Sequence, residues 1–323
     1  MSGPAGGSHP AGDSLTQRAI AAVLRAVLRA TVQRAFRAGL PVERQRRRLL
    51  RMARLTRPPR DATFEPGICG GIPGEWFRAR APEPTAPTFL YLHGGGYCTG
   101  SPATHRAITG HLAVRCAARV FAPDYRLAPE HPFPSAVDDA AAAYRGLLRE
   151  GVASGDIVIA GDSAGGGLAV AVTLRLRELG QSLPRALVLF SPWVDLTLEH
   201  LGPAPPGEVM LTLPWIGECA RAYVGGSDPH HPLVSPVGAD LHGLPPTLIQ
   251  VGSDELLLPD SRRLFERLRM AEVPAVLQEY PARWHVFQVN AGMLADADRA
   301  LDEVARYVRE IRVDGRQVAP LDG

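Results

Sequence analysis

The sequence predicts an α/β fold, a mostly parallel central sheet flanked by helices, with a helical cap over one end. Three observations predict it. From about residue 85 onward, six short apolar runs alternate with helix-like segments, the pattern of βαβ units. A glycine-rich knot, GDSAG at 161–165, joins one of those runs to a helix-like segment. The alternation breaks over 196–226, a Pro- and Gly-rich stretch containing MLTLPWIGECARAYVGG, which reads as a helical insertion.

Composition bounds the function. The chain has 323 residues, 46% hydrophobic and 21% charged, ordinary for a soluble globular protein with a substantial core. A net charge of +2 gives the whole molecule no attraction for polyanions. All 35 cationic residues are arginine, which reads as coding bias. Cys69, Cys98, Cys116 and Cys219 show no CxxC pairing and no metal-ligand spacing. Neither a disulfide framework nor a cysteine-bound metal is therefore expected, and no cofactor is expected. No run approaches the ~18 apolar residues of a membrane span. Residues 1–14 lack the basic and apolar regions of a secretory signal. The expected location is the cytoplasm, with no integral membrane segment.

The elements follow in order. Residues 1–13 are Gly, Ser, Pro and Ala in the main, and read as a disordered lead. Residues 14–60 read as cap helices, broken at Gly39-Leu40-Pro41. Leu15, Ile20, Val23, Leu24, Val27, Leu28, Val32 and Phe36 fall near helical spacing. Thirteen arginines face one acid, Glu43, between residues 14 and 60. The expected arrangement is a packed apolar face with a solvated basic face. A membrane-surface helix and a nucleic-acid arm are the alternatives, with an organellar transit peptide below them. Core follows over 61–195, the cap insertion over 196–226, and further core over 227–323. Strands are expected in 88–93, 119–126, 156–162, 185–193, 247–255 and 275–285. Helices are expected in 104–118, 135–150, 164–180, 259–271 and 291–312. No internal repeat is visible.

GDSAG fits G-x-S-x-G, the nucleophile elbow of the α/β-hydrolase fold. A serine on a sharp strand-to-helix turn, here Ser163, lifts its hydroxyl clear of the sheet. Gly161 and Gly165 flank it because a Cβ at either place would collide with the turn. HGGGY (93–97) lies 70 residues earlier, after the run TFLYL. Acyl transfer builds an oxyanion and needs amide donors aimed at it. Ala164 supplies one, and Gly95 and Gly96 the others, with the adjacent Gly94 counted as a candidate in the same oxyanion hole. His285, in RWHVFQ after the last strand-like run, is the candidate base; His242 precedes the acid and fits less well. Asp254 and Glu255 adjoin at the end of TLIQVGS, and either could orient the imidazole. Asp260 could support that loop. Tyr97, Trp193, Met210, Leu211, Trp215, Val286 and Phe287 are candidate walls of an apolar pocket.

HGGGY, DYRLAPEHPFP (124–134), GDSAGGG, GSDELLLPDS and WHVF, in this order, resemble the hormone-sensitive-lipase family of bacterial esterases. The resemblance covers about 85–312 and is nearest the branch of acetyl esterases and monoterpene ε-lactone hydrolases. It implies an α/β-hydrolase core and a cap from the N-terminal helices plus an insertion. It also implies no metal, and hydrolysis of short- to medium-chain acyl esters. The spacing G-x-x-E-x-L-L-x-D matches a family variant in which glutamate is the triad acid, which favours Glu255 over Asp254. Pro259 departs from the acid usual there. Cys98 stands where an aliphatic residue is commoner and is read as shaping the pocket. DYRLAPEHPFP is read as structural, with Arg126 paired to Glu130 and Asp162 holding the elbow. The implied partner is a small ester, and the resemblance allows a homodimer through the sheet edge near the last strands. The rival readings are an acyltransferase or lactonase on the same site, and a non-catalytic small-molecule receptor. The receptor is disfavoured because serine, acid and histidine are all present.

Overall fold

The computed structural model describes residues 14–80 and 86–311; the lead expected over 1–13 lies outside the described residues. Among these residues eight strands form one sheet. They are β1 (Ala62–Cys69), β2 (Ile72–Ala79), β3 (Thr88–Leu92), β4 (Arg119–Pro123), β5 (Ile157–Asp162), β6 (Ala186–Phe190), β7 (Thr247–Gly252) and β8 (Ala275–Tyr280). The helices are α1 (Leu15–Ala35), α2 (Val42–Met52), α3 (Arg106–Arg115), α4 (Ser135–Arg149), α5 (Ala164–Glu178), α6 (Leu213–Val224), α7 (Leu258–Met270) and α8 (Ala295–Glu310). Across the sheet the order is β1-β2-β4-β3-β5-β6-β7-β8. The pairs β1–β2 and β2–β4 are antiparallel. Every other pair is parallel.

Strands β3, β5, β6 and β7 are buried along their whole length. That is why they read as near-continuous apolar runs: helices cover both faces of a parallel sheet. Successive side chains alternate between the two layers. Phe89 and Tyr91 of β3 belong to the core layer that contains α3 and α8, while Leu90 and Leu92 belong to the layer that contains α4, α5 and α7. Because β3 and β5 to β8 run parallel, the residues following their carboxyl ends share one edge of the sheet. Gly94–Gly96, Ser163, Ser191, Glu255 and His285 all follow those ends, where open α/β sheets hold ligands.

The β1–β2 hairpin is not among the expected strands. Pro66, Gly67, Pro73 and Gly74 dilute the strand pattern, and much of β1 is exposed. The signal present was Gly70-Gly71, both left-handed at φ 63° and 84°, a two-residue hairpin turn. Segment 196–226 carries a single helix, α6, in otherwise irregular chain.

Two expectations require correction. Arg126 pairs with Asp139 of α4 at 2.7 Å, not with Glu130. The helix brings Asp139 back under Arg126, and Glu130 is taken by Arg46 of α2 at 2.7 Å. The apolar face of α1 is also only partly packed. Ala21, Val32 and Ala35 are buried, but Leu15 is 83% and Val23 62% exposed. The apolar stripe is wider than the contact line that the core offers.

The hairpin turn supplies a stability test. A Cβ on Gly70 would lie 1.9 Å from the Ala142 carbonyl oxygen, whereas one on Gly71 meets nothing within 4 Å. Both substitutions carry the left-handed strain of about 1–2 kcal/mol. Gly70→Ala should cost about 1–3 kcal/mol more than Gly71→Ala, because backbone overlap is added. Urea midpoints of the two variants measure the difference, and equal midpoints would refute the packing.

Candidate active site

β5 ends at Asp162 and α5 starts at Ala164, so the chain turns within one residue, Ser163, at φ 53°. The turn is possible because both flanking positions lack a Cβ. On Gly161 it would meet the Gly165 carbonyl oxygen at 2.3 Å, and on Gly165 the Leu92 carbonyl oxygen at 2.0 Å. The Ser163 amide donates to the Phe190 carbonyl at 2.8 Å, and its carbonyl accepts from the Trp193 amide at 2.9 Å. Ser163 lines a cavity of about 260 Å³, as do Gly94, Gly95 and His285. The N-terminus of α5 begins at the next residue, so its dipole favours negative charge there.

His285 shares a hydrogen bond of 2.9 Å between Nδ1 and Glu255 Oε2, and both side chains are buried. Oε1 of Glu255 accepts from Ser191 Oγ at 2.7 Å and from the Gly252 amide at 2.5 Å. Ser191 Oγ in turn accepts from the Val286 amide at 3.1 Å. Burial pushes the Glu255 carboxyl above its usual range, against the opposing pull of His285, Gly252 and Ser191. Burial works against charge on His285, but Glu255 outweighs it, and the imidazole pKa is raised.

The adjacent acid does something else. Asp254 binds Arg25 of α1 at 2.6 Å. The same guanidinium donates to the Gly207 and Ala282 carbonyls and lies 5.3 Å from the Trp284 ring centroid. Of the two acids, then, Glu255 faces the histidine and Asp254 fastens α1 beside the histidine loop. Asp260 braces a different loop from the expected one, accepting from the Val194 and Asp195 amides at 2.9 and 3.0 Å. Burial lifts its carboxyl to about 7.

Asp162 ties the elbow to the glycine loop. Its Oδ1 accepts from Tyr91 Oη at 2.6 Å and from the Gly94 amide at 3.0 Å, and His105 Nε2 lies 3.4 Å from Oδ2. The Gly94 amide is thereby committed, which corrects its place among the candidate oxyanion donors. Among the described residues the amides of Gly95, Gly96 and Ala164 donate to no protein group. DYRLAPEHPFP braces this loop from behind. Tyr125 Oη donates to the His93 carbonyl at 2.6 Å and the Ala128 amide to the Tyr97 carbonyl at 2.9 Å. Buried His93 stacks on Tyr125, and burial drives its pKa down to about 3. Backbone strain gathers here: Tyr97, Ser163, Ser191 and Val286 all hold φ between 49° and 60°.

Met210, Leu211, Trp215 and Val286 line the cavity as expected. Tyr97, Trp193 and Phe287 do not, because other packing claims them. Tyr97 stacks on Tyr223 with centroids 3.7 Å apart, Trp193 donates to the Asp195 carbonyl, and Phe287 packs on Tyr280. Further apolar wall comes from α1 and its C-cap Phe36, from α2, and from the segment after His285, through Leu24, Leu28, Leu49, Met52, Val289 and Met293. Sequence reasoning missed Ser191, whose only signal was a small polar residue at a strand end. It missed Glu208, which accepts from the Val209, Met210 and Leu211 amides and from the Leu256 amide. It also missed His105, which lines the cavity beside Asp162. Among the described residues no group of His, Cys, Asp and Glu is arranged to hold a metal ion. Chemically, the arrangement offers a hydroxyl, a buried carboxylate-backed imidazole and unengaged amides around one apolar cavity.

Comparison with known proteins agrees with this architecture. Residues 89–289 match the model of a family described as alpha/beta hydrolase fold. An acetyl-hydrolase of Streptomyces hygroscopicus is 41% identical over 80% of this chain and 85% of its own. An esterase of Acinetobacter venetianus is 35% identical over 89% of this chain and 95% of its own. The crystal structure of an esterase from the bacterial hormone-sensitive lipase family superposes with a TM-score of 0.84 at 36% identity, covering 93% of this chain and 99% of that one. The family match spans the strands from β3 onward, the elbow, the glycine loop and the histidine loop, and the chain belongs to the alpha/beta hydrolase fold family, among the bacterial hormone-sensitive-lipase esterases.

Proposed function

We propose that this carboxylic ester hydrolase cleaves short- to medium-chain acyl esters through an acyl-enzyme on Ser163. The observation that carries the reading is the buried Glu255–His285 hydrogen bond beside the same cavity that Ser163 lines. Neutral His285 takes the Ser163 proton as Oγ attacks the ester carbonyl. Glu255 holds the imidazole tautomer and stabilises the imidazolium. The Gly95, Gly96 and Ala164 amides receive the oxyanion. The tetrahedral adduct expels the alcohol, which takes its proton from His285. A water then attacks the acyl carbonyl with His285 again as base, releasing the acid and restoring Ser163. Asp254 takes no part, since Arg25 occupies it.

The cavity supports a small apolar acyl group. At about 260 Å³ it stands near the lower edge of the ~300–1,000 Å³ usual for small-molecule sites. A p-nitrophenyl ester series from acetate to laurate should therefore peak at the short end. An ε-lactone in the same panel tests ring opening.

Ser163→Ala should lower kcat by about 10⁴–10⁶. A fluorophosphonate should add its mass to the Ser163 peptide of the wild type and not of the variant. Unlabelled wild type would refute the nucleophile. Glu255→Gln should cost about 10⁴ in kcat, whereas Asp254→Asn should stay within about tenfold, an outer ion pair being worth little. The reverse order would reassign the acid.

The pH profile carries a sign. The base must be neutral, so kcat/KM rises with pH through the His285 pKa. That pKa is raised, so the acid limb should lie above the ordinary histidine value of about 6.5. Glu255→Gln removes the charge that raises it and should move the limb of its residual activity to lower pH. An unmoved limb would show that another group titrates.

A further inference from the structure

The outer face of the N-terminal helices combines two features that a cap packed on its own core does not need. One is an uncovered apolar stripe. Leu15, Ala19, Ala22, Val23, Ala26 and Val27 share one side of α1 and all are exposed. Leu50 and Leu55 are exposed on the neighbouring segment. The other is charge: of the thirteen arginines between residues 14 and 60, all but Arg25 and Arg46 are exposed. Those two are also the only ones of the thirteen in an ion pair among the described residues. The cavity reaches the surface on this same face, because exposed Val27 and Leu55 line it.

Apolar side chains ringed by unpaired arginines fit a surface that is oily within and negative at its rim. We propose that the α1–α2 face seats on an anionic phospholipid surface, with the cavity mouth turned toward the headgroup layer. The exposed leucines and valines enter the interface and the arginines meet lipid phosphates. A second copy of this chain is a poor occupant, because it would set arginine against arginine. A nucleic acid would use the arginines but leave Leu15 and Val23 without a role, and the exposed large apolar groups on this face are aliphatic, with no aromatic platform for base stacking. The seating stands apart from the acyl-enzyme reading. Its consequence rests on that reading: amphipathic acyl esters would enter from the lipid side.

The test is flotation of the full chain with vesicles of phosphatidylcholine alone or mixed with phosphatidylglycerol, at low and high salt. The expected result is co-flotation with the mixed vesicles at low salt, release as salt rises, and no binding to phosphatidylcholine alone. The double variant Arg47→Gln/Arg51→Gln should bind roughly fivefold more weakly for each arginine lost. Val23→Asn should weaken vesicle binding while leaving retention on heparin unchanged. Both variants alter residues outside the cavity and should keep wild-type turnover of soluble p-nitrophenyl acetate, which reports the fold. No flotation of active wild type at low salt would overturn the proposal. So would Val23→Asn floating like wild type, which would mark a general polyanion site. A wild-type dimer in solution that Val23→Asn dissolves would overturn it in favour of a second copy. An inactive wild type that still floats would defeat the esterase reading and leave the seating intact.

Discussion

The close approach of α5 to the β3–β5 edge governs the rest of the site. The Leu92 carbonyl oxygen occupies space within 2.0 Å of where a Gly165 side chain would begin. Only a backbone without Cβ lets the helix start this near the sheet. That contact places Ser163 in a left-handed turn above the strand ends, and it holds the glycine loop after β3 beside it. Asp162 then spans the gap, accepting from Tyr91 and from the Gly94 amide. The elbow and the loop are thus one unit, and it carries the amides of Gly95, Gly96 and Ala164, which donate to no protein group among the described residues.

A second unit is built around a buried carboxylate. Glu255 gathers donors from three loops: Ser191 after β6, Gly252 at the end of β7 and His285 after β8. A buried carboxylate without such partners would be costly, so the need to satisfy it aligns the three loops. Ser191 does double duty by accepting from the Val286 amide, which fixes the backbone next to the imidazole. Glu208 extends the arrangement outward. It joins the Met210–Leu211 cavity wall to the residue after Glu255. The cavity wall and the carboxylate that bonds His285 are therefore mechanically linked.

Helices α1, α2 and α6 are fastened to these two units and to one another at specific points. Arg25 reaches Asp254 and the Ala282 carbonyl beside the histidine loop. Arg46 reaches the Cys98 and Ala128 carbonyls behind the glycine loop. Trp215 of α6 stacks on Phe36 and donates to Gln45. These contacts occupy the inner side of α1 and α2 and leave their outer side to solvent.

The sequence by itself determined the parallel strands and the helices between them, and it marked as candidates the serine, the histidine and the glycine loop that the fold brings to one cavity. Those features are local: alternation, buried apolar runs and close-packed glycines leave marks within a few residues. It also marked Glu255, though only through a resemblance, since two adjacent acids are chemically alike. Tertiary structure alone decided what depends on partners distant in the chain. Asp254 is drawn off by an arginine 229 residues away, and the Gly94 amide is claimed by a carboxylate 68 residues away. Tyr97, Trp193 and Phe287 had the composition of pocket walls, but neighbours elsewhere in the chain took them into the core. Ser191 and Glu208 left almost no signal, because a side chain that serves backbone amides of other loops carries no periodicity of its own. Burial and pairing are properties of the folded ensemble of contacts, and those contacts exist only once the strands have been brought together.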